Sequence, residues 1–165
     1  MEAAAESELW AAALRSPEEQ ERSAVFSPLG EERYALGLET IYEGYLLHYG
    51  TPRLFAPADG DTALLLGDYL YAHGLVRIEQ VGSVAAVNDL AELIALCAYL
   101  QTEQIGNDSK LWAASATLLG QGRLDEARTS LRLDSDGAPL EHLARQHAGA
   151  AEVDRALDAH GKRLR

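Results

Sequence analysis

Basic residues are scarce in this chain: 14 Lys and Arg stand against 26 Asp and Glu over 165 residues, a formal net charge of -12. Electrostatic binding to nucleic acid is therefore not expected, because neutralising a phosphate backbone takes clustered Lys and Arg. Anionic membrane surfaces are disfavoured for the same reason, and the negative charge reads as a solvated outer surface. Cysteine is represented by Cys97 alone, so no internal disulfide can form. Its place in the apolar run LAELIALCAYL marks it as a buried core thiol in a reducing, cytoplasmic setting. No membrane span is expected either. The most apolar stretch, Thr62 to Val76, carries Asp68 and His73 and is too short to span a bilayer. Met1 to Trp10 is acidic and without a long apolar core, so no signal peptide is expected.

Ile, Val, Thr and Phe are sparse beside Ala, Leu and Glu, which are strong helix formers. With 47% hydrophobic residues, the chain is long enough for one sizeable core. A single all-α domain over residues 1–165, a helical bundle, is the expected fold. Glu2 to Arg15 reads as a first helix, and Ser16-Pro17-Glu18-Glu19 as a helix restart with Ser at the N-cap and Pro just inside. Ser27-Pro28 repeats that signal. Glu31 to Tyr49 is a long helix closed by Gly50, and Asp61 to Val81 another closed by Gly82. Ser83 caps a helix reaching Gln104, and Asp108 or Ser109 opens one running to about Leu119.

Within the helix from Asp61, residues Ala63, Gly67, Tyr71, Gly74 and Ile78 share a face of small and bulky side chains that lets another helix approach closely. Leu90 to Leu100 is apolar almost all round, which suits the centre of a bundle or an interface. Beyond Gly120 the pattern weakens. Arg123 to Leu133 and Ala150 to Leu164 read as helices and Asp134 to Pro139 as a turn, so residues 121–165 are expected to be mobile or dependent on a partner.

The chemistry-bearing residues have plain structural readings. Asp68 on an apolar helix either faces a ligand cavity or pairs within the bundle, and pairing is favoured because buried carboxylates need partners. His73 lies one turn from both Tyr69 and Arg77 and fits a hydrogen-bonding stripe better than a metal site. Tyr34, Tyr42, Tyr45, Tyr49, Tyr69 and Tyr71 either line a lipid cavity or fill the core. No Glu-x-x-His occurs, and His142 and His147 are off one helical face, so no metal and no cofactor are expected. Neither a glycine-rich phosphate loop nor a Ser-His-Asp signature stands out.

Two segments, LETIYEGYLLHYGTPR from Leu38 to Arg53 and ALLLGDYLYAH from Ala63 to His73, resemble the trans-type polyprenyl diphosphate synthases of the isoprenoid-synthase family. In that family a Leu-Glu-x-Ile-His-x-x-x-Leu-Ile-His helix runs into an Asp-Asp-x-x-Asp magnesium motif. Leu38, Glu39, Ile41, Leu46, Leu47 and His48 follow the lead-in, with Tyr42 at the first histidine. Tyr49, Gly50, Thr51, Pro52 and Arg53 stand where the aspartates belong. Ala63, Leu65, Gly67, Asp68, Leu70 and Ala72 match the family's Ala-x-Leu-x-Gly-Asp-x-Leu-x-Ala element. The intervening Leu54 to Gly60 lacks the Arg-Arg-Gly-x-Pro diphosphate loop. Lys110 to Gly120 is a weaker echo of the Lys-Thr-Ala-x-Leu helix, with Trp112 at the threonine. The Phe-Gln-x-x-Asp-Asp element is absent, and Asp134, Ser135 and Asp136 do not reproduce it.

The resemblance implies a truncated isoprenoid-synthase-like protein without the magnesium machinery. Its expected role is that of a non-catalytic small subunit, partnered either with a second copy of itself or with a catalytic polyprenyl diphosphate synthase. The alternatives are a self-associating helical protein of unrelated role and a non-catalytic binder of a prenyl or other lipid chain. His48, Arg53, Asp68 and His73 are the residues expected to face a ligand, His48 and Arg53 through direct pairing with a diphosphate.

Overall fold

The computed structural model describes residues 7–164, and its regular structure is α-helical, with no β-strand among the described residues. After α1 (Glu8–Ala13) come two 3-10 turns, Ser27–Leu29 and Glu32–Tyr34. Helices α2 (Ala35–Tyr49), α3 (Gly60–Val81), α4 (Val84–Thr102), α5 (Asp108–Thr117), α6 (Asp125–Asp134), α7 (Ala138–Ala148) and α8 (Ala150–Gly161) follow. Side-chain caps start three of them: Ser7, Asp59 and Ser83 accept from the backbone N–H of Leu9, Thr62 and Ala86. Such acceptors satisfy amides that the first helical turn leaves without partners. Gly50 and Gly82 close α2 and α3.

Helices α2 and α3 form the tightest pair, and glycines set their separation. A Cβ on Gly44 would sit 2.9 Å from the carbonyl oxygen of Gly67, and one on Gly67 would sit 3.2 Å from that of Gly44. The same reciprocity joins Gly37 and Gly74, at 3.3 and 3.0 Å. Removing the Cβ at both places lets the two backbones touch, which is the close approach expected of the Gly67–Gly74 face.

Helix α5, rather than α4, is surrounded. Every residue from Leu111 to Thr117 is buried, and Ala113, Ala114, Ser115 and Ala116 are small enough to admit neighbours on all sides. Helix α4 buries Leu90, Leu93, Leu96, Cys97 and Leu100 and leaves Ala91, Glu92, Ala95 and Tyr99 outside. By length and composition alone its 19 residues would suffice to cross a membrane; here one face is packed into the core.

Three sequence expectations are corrected. Ser16-Pro17-Glu18-Glu19 makes a single turn, with the Ser16 hydroxyl donating to Glu19 at 3.0 Å, and no helix follows. The next amides are claimed by distant acceptors: Glu21 N–H by the Arg53 carbonyl, and those of Val25, Phe26 and Ser27 by the Glu39 carboxylate. Ser27-Pro28 likewise yields only a 3-10 turn. The turn read through Pro139 is instead the start of α7, where proline occupies the first turn and loses no helical hydrogen bond. Residues 2–6 of the expected first helix lie outside the described residues.

Residues 121–164 supply Leu124, Leu131, Leu140, Ala144, Val153 and Ala156 to the main core. The chain end returns to α2: Thr51 N–H donates to the Arg163 carbonyl at 2.8 Å, and Leu164 bridges to Gly50.

Gly44→Ala should lower unfolding free energy in urea by about 1–3 kcal/mol, since its Cβ meets backbone and the Tyr71 ring. Gly60→Ala, with nothing within 4 Å of its Cβ, should change stability by less than about 1 kcal/mol. Equal effects would mean that the helix separation tolerates a methyl group.

Candidate functional site

Glu39 and Glu43 are one turn apart on α2, so both carboxylates project from the same face. After Gly50 the chain doubles back, and Arg53 is laid between them with its side chain only 4% exposed. Its Nε donates to Glu43 at 3.0 Å, and one terminal nitrogen donates to Glu39 at 2.6 Å and to the Ser23 carbonyl at 2.9 Å. The other terminal nitrogen donates to the Glu39 carbonyl. Burial works against the Arg53 charge, and Glu39 and then Glu43 outweigh it, so its pKa is raised. Glu43 also accepts from Leu54 N–H at 2.7 Å, which completes its second oxygen.

On the other side of α2 the interior is filled with aromatic rings. Tyr42, Tyr45, Phe26, Trp112 and His160 are all at most 1% exposed, and Phe26 stacks on Trp112 at 5.5 Å. A hydrogen-bond chain runs through them. Gln101 Nε2 donates to the Tyr45 hydroxyl at 3.0 Å, and that hydroxyl donates to Asp108. His160 Nε2 lies 3.0 Å from the same carboxylate oxygen, and His160 Nδ1 lies 2.9 Å from the Tyr42 hydroxyl. With the proton on Nε2, the imidazole donates to Asp108 and accepts from Tyr42, so the Tyr42, Tyr45 and His160 donors each have an acceptor. Burial pushes the Tyr42 and Tyr45 hydroxyls far up, Asp108 reinforcing the shift at both. Burial also pushes Cys97 well up, which keeps it a protonated core thiol.

The four residues expected to face a ligand fall into two places. His48 Nε2 lies 3.2 Å from Asp68 Oδ1, without the alignment a hydrogen bond needs, and the ring stacks on Tyr71 at 5.1 Å. Asp68 is itself 73% exposed, so the pairing is a solvent-screened attraction. Arg53 and His73 line a separate cleft between α2 and α3, of about 280 Å³. His48 and Arg53 thus face different partners, and the guanidinium that the diphosphate reading required is committed to Glu39 and Glu43. His73 packs its ring on Tyr69 at 4.9 Å. Among the described residues no group of three or more His, Cys, Asp or Glu is placed to hold a metal ion.

Sequence reasoning missed Glu43, Asp108 and His160 as parts of these clusters. Glu43, one turn from Glu39 on the same helical face, carried a usable signal as one of a pair of carboxylates in an otherwise apolar helix. Asp108 was read as a helix opener, and nothing local distinguishes His160. Comparison with protein families, with curated proteins and with solved structures returned no match for this chain.

Replacing Arg53 by Met should cost about 3–5 kcal/mol in a denaturant titration, because two buried carboxylates lose their counter-charge. Adding Glu39→Gln and Glu43→Gln should then destabilise by less than the sum of the separate changes, and strict additivity would argue against a coupled knot.

Burial holds the His48 imidazole below its usual pKa of 6.5, with Asp68 opposing. The unfolded chain therefore takes up this proton first, and stability declines as pH falls below 6.5. At Asp108 burial raises the pKa, but hydrogen bonds from His160 and Tyr45 outweigh it and hold the carboxyl below its usual 3.8. Its contribution is present above that value and lost as pH falls through the lower folded value. The stability–pH curve should show both declines, with His48→Gln flattening the first and Asp108→Asn the second. An unchanged upper slope in His48→Gln would assign it to another group.

Proposed function

We propose that this chain is a non-catalytic, isoprenoid-synthase-like subunit that works by association with a catalytic polyprenyl diphosphate synthase. The observation that carries the reading is the state of residues 49–53, which stand where the aspartate motif would be. Tyr49 packs on Tyr45, Gly50 and Thr51 pair with the chain end, and Arg53 is neutralised by Glu39 and Glu43. The segment is built into the protein's own packing, and the aromatic chain from Tyr42 to Trp112 occupies the space beside it.

The surface supports association. Leu65 and Val76 are 60% and 54% exposed and lie three turns apart on one face of α3, with Ala72 between them. Helix α4 adds Val84 and Tyr99, exposed at 77% and 38%, with Ala91 and Ala95. Exposed apolar residues repeated along two helices suit a protein partner. Bound in this way, the subunit would stabilise the catalytic chain or shape its product cavity.

Co-expression with a catalytic polyprenyl diphosphate synthase of the same source should give a complex that survives size-exclusion chromatography. Leu65→Glu with Val76→Glu, both at exposed positions, should break it while leaving the circular dichroism unchanged. The purified chain alone should not elongate an allylic diphosphate with isopentenyl diphosphate and magnesium; turnover by it would overturn the reading. A homodimer that ignores the catalytic chain would replace it with self-association.

A further inference from the structure

We propose that the cleft between residues 20–24, α2 and α3 is a binding site for a small amphiphilic monocarboxylate, with its apolar tail inside and its carboxylate at the rim beside Arg22. The cleft lies on the side of α2 that carries Glu39 and Glu43, and the proposal does not depend on the association reading.

The site is preformed. Its outer wall, residues 20–24, is not a loose loop: Glu21 N–H donates to the Arg53 carbonyl, Arg53 donates to the Ser23 carbonyl, and Glu39 holds the amides of residues 25–27. A wall braced from the buried floor stays open without having to be ordered by the ligand, which removes part of the entropic cost of binding. Leu36, Leu54, Phe55 and Leu70 make the lining mostly apolar, as in sites that hold small organic ligands.

Charge selects the head group. The cleft contains the carboxylates of Glu39 and Glu43, which would at first favour a cation. Their oxygens are already used: Glu39 accepts three backbone amides and Arg53, and Glu43 accepts Arg53 and the Leu54 amide. The Glu21 carboxylate at the rim is paired with Arg163. Arg22 differs. Its Nε and a terminal nitrogen donate to the neutral amide oxygen of Gln20 at 3.2 and 2.9 Å, and among the described residues no carboxylate pairs with it. A charged fork held by a neutral group retains donors that match a carboxylate. His73 and Arg77 line the facing wall and have interactions of their own, so the choice of an anion rests on Arg22.

The test is a titration of the ¹⁵N-labelled full chain with octanoate, octanol and octylamine, each below its micellar concentration. Octanoate should give saturable shifts at Ala24, Leu36, Thr40 and Leu70, and should bind roughly three- to tenfold more tightly than octanol. Arg22→Glu should erase that preference and leave octanol binding. Ala24→Trp, also at an exposed position, should fill the cleft and remove binding of both. The unperturbed remainder of each variant's spectrum reports that it is folded. Absence of saturable shifts, shifts confined to another surface, or octylamine binding as tightly as octanoate would overturn the proposal, as would full binding to Ala24→Trp.

Discussion

The guanidinium of Arg53 is the constraint on which the surrounding structure depends. It is buried between two carboxylates from successive turns of α2, and it donates to the backbone of the 20–24 segment. A buried ion is costly unless its charge and all its donors are matched, so these partners must arrive together. That requirement bends the chain back after Gly50 and draws residues 20–27 across α2. The guanidinium also lies 5.0 Å from the centre of the Tyr42 ring, which couples the charged knot on one side of α2 to the aromatic interior on the other.

Helix α2 is therefore held on three sides by different physics: ions toward the 20–27 segment, backbone contact with α3, and aromatic packing toward α5. The glycine pairs settle the second contact by omission of Cβ atoms. The third depends on the final helix, because His160 closes the hydrogen-bond chain between Tyr42 and Asp108. Residues far apart in sequence thus complete one another's valences, and the C-terminal helices belong to the same core as α2 and α5. The cleft proposed for a carboxylate and the apolar faces proposed for a partner lie outside this interior.

Legibility in the sequence followed how local the deciding interaction is. Most of α2, α3 and α4 was legible because the signals are their own: the Ser83 cap, closing glycines and a repeating apolar face, although α2, expected from Glu31, starts at Ala35 after a 3-10 turn. The close-packing face of α3 was legible for the same reason. Ser16-Pro17 and Ser27-Pro28 carried equally good start signals and made only single turns, since Glu39 and Arg53 took the backbone groups a helix would have needed. Pro139 was read as part of a turn although proline is equally at home in a first helical turn. Arg53 and His48 were paired by their nearness in sequence, whereas the reversal of chain direction after Gly50 gives each a different counter-charge.

By itself the sequence determined an all-α chain, the general course of α3 and α4, the glycines that close α2 and α3, and a net charge of -12. These follow from local propensity and from sums over composition, which need no knowledge of long-range neighbours. Only the tertiary structure decided that α5 rather than α4 is enclosed, that Asp108, which opens α5, also takes Tyr45 and His160 as core partners, and that Arg53 is neutralised within the fold. Each of those outcomes turns on which polar groups lose access to water and must find partners, and that is set by contacts between residues distant in the chain.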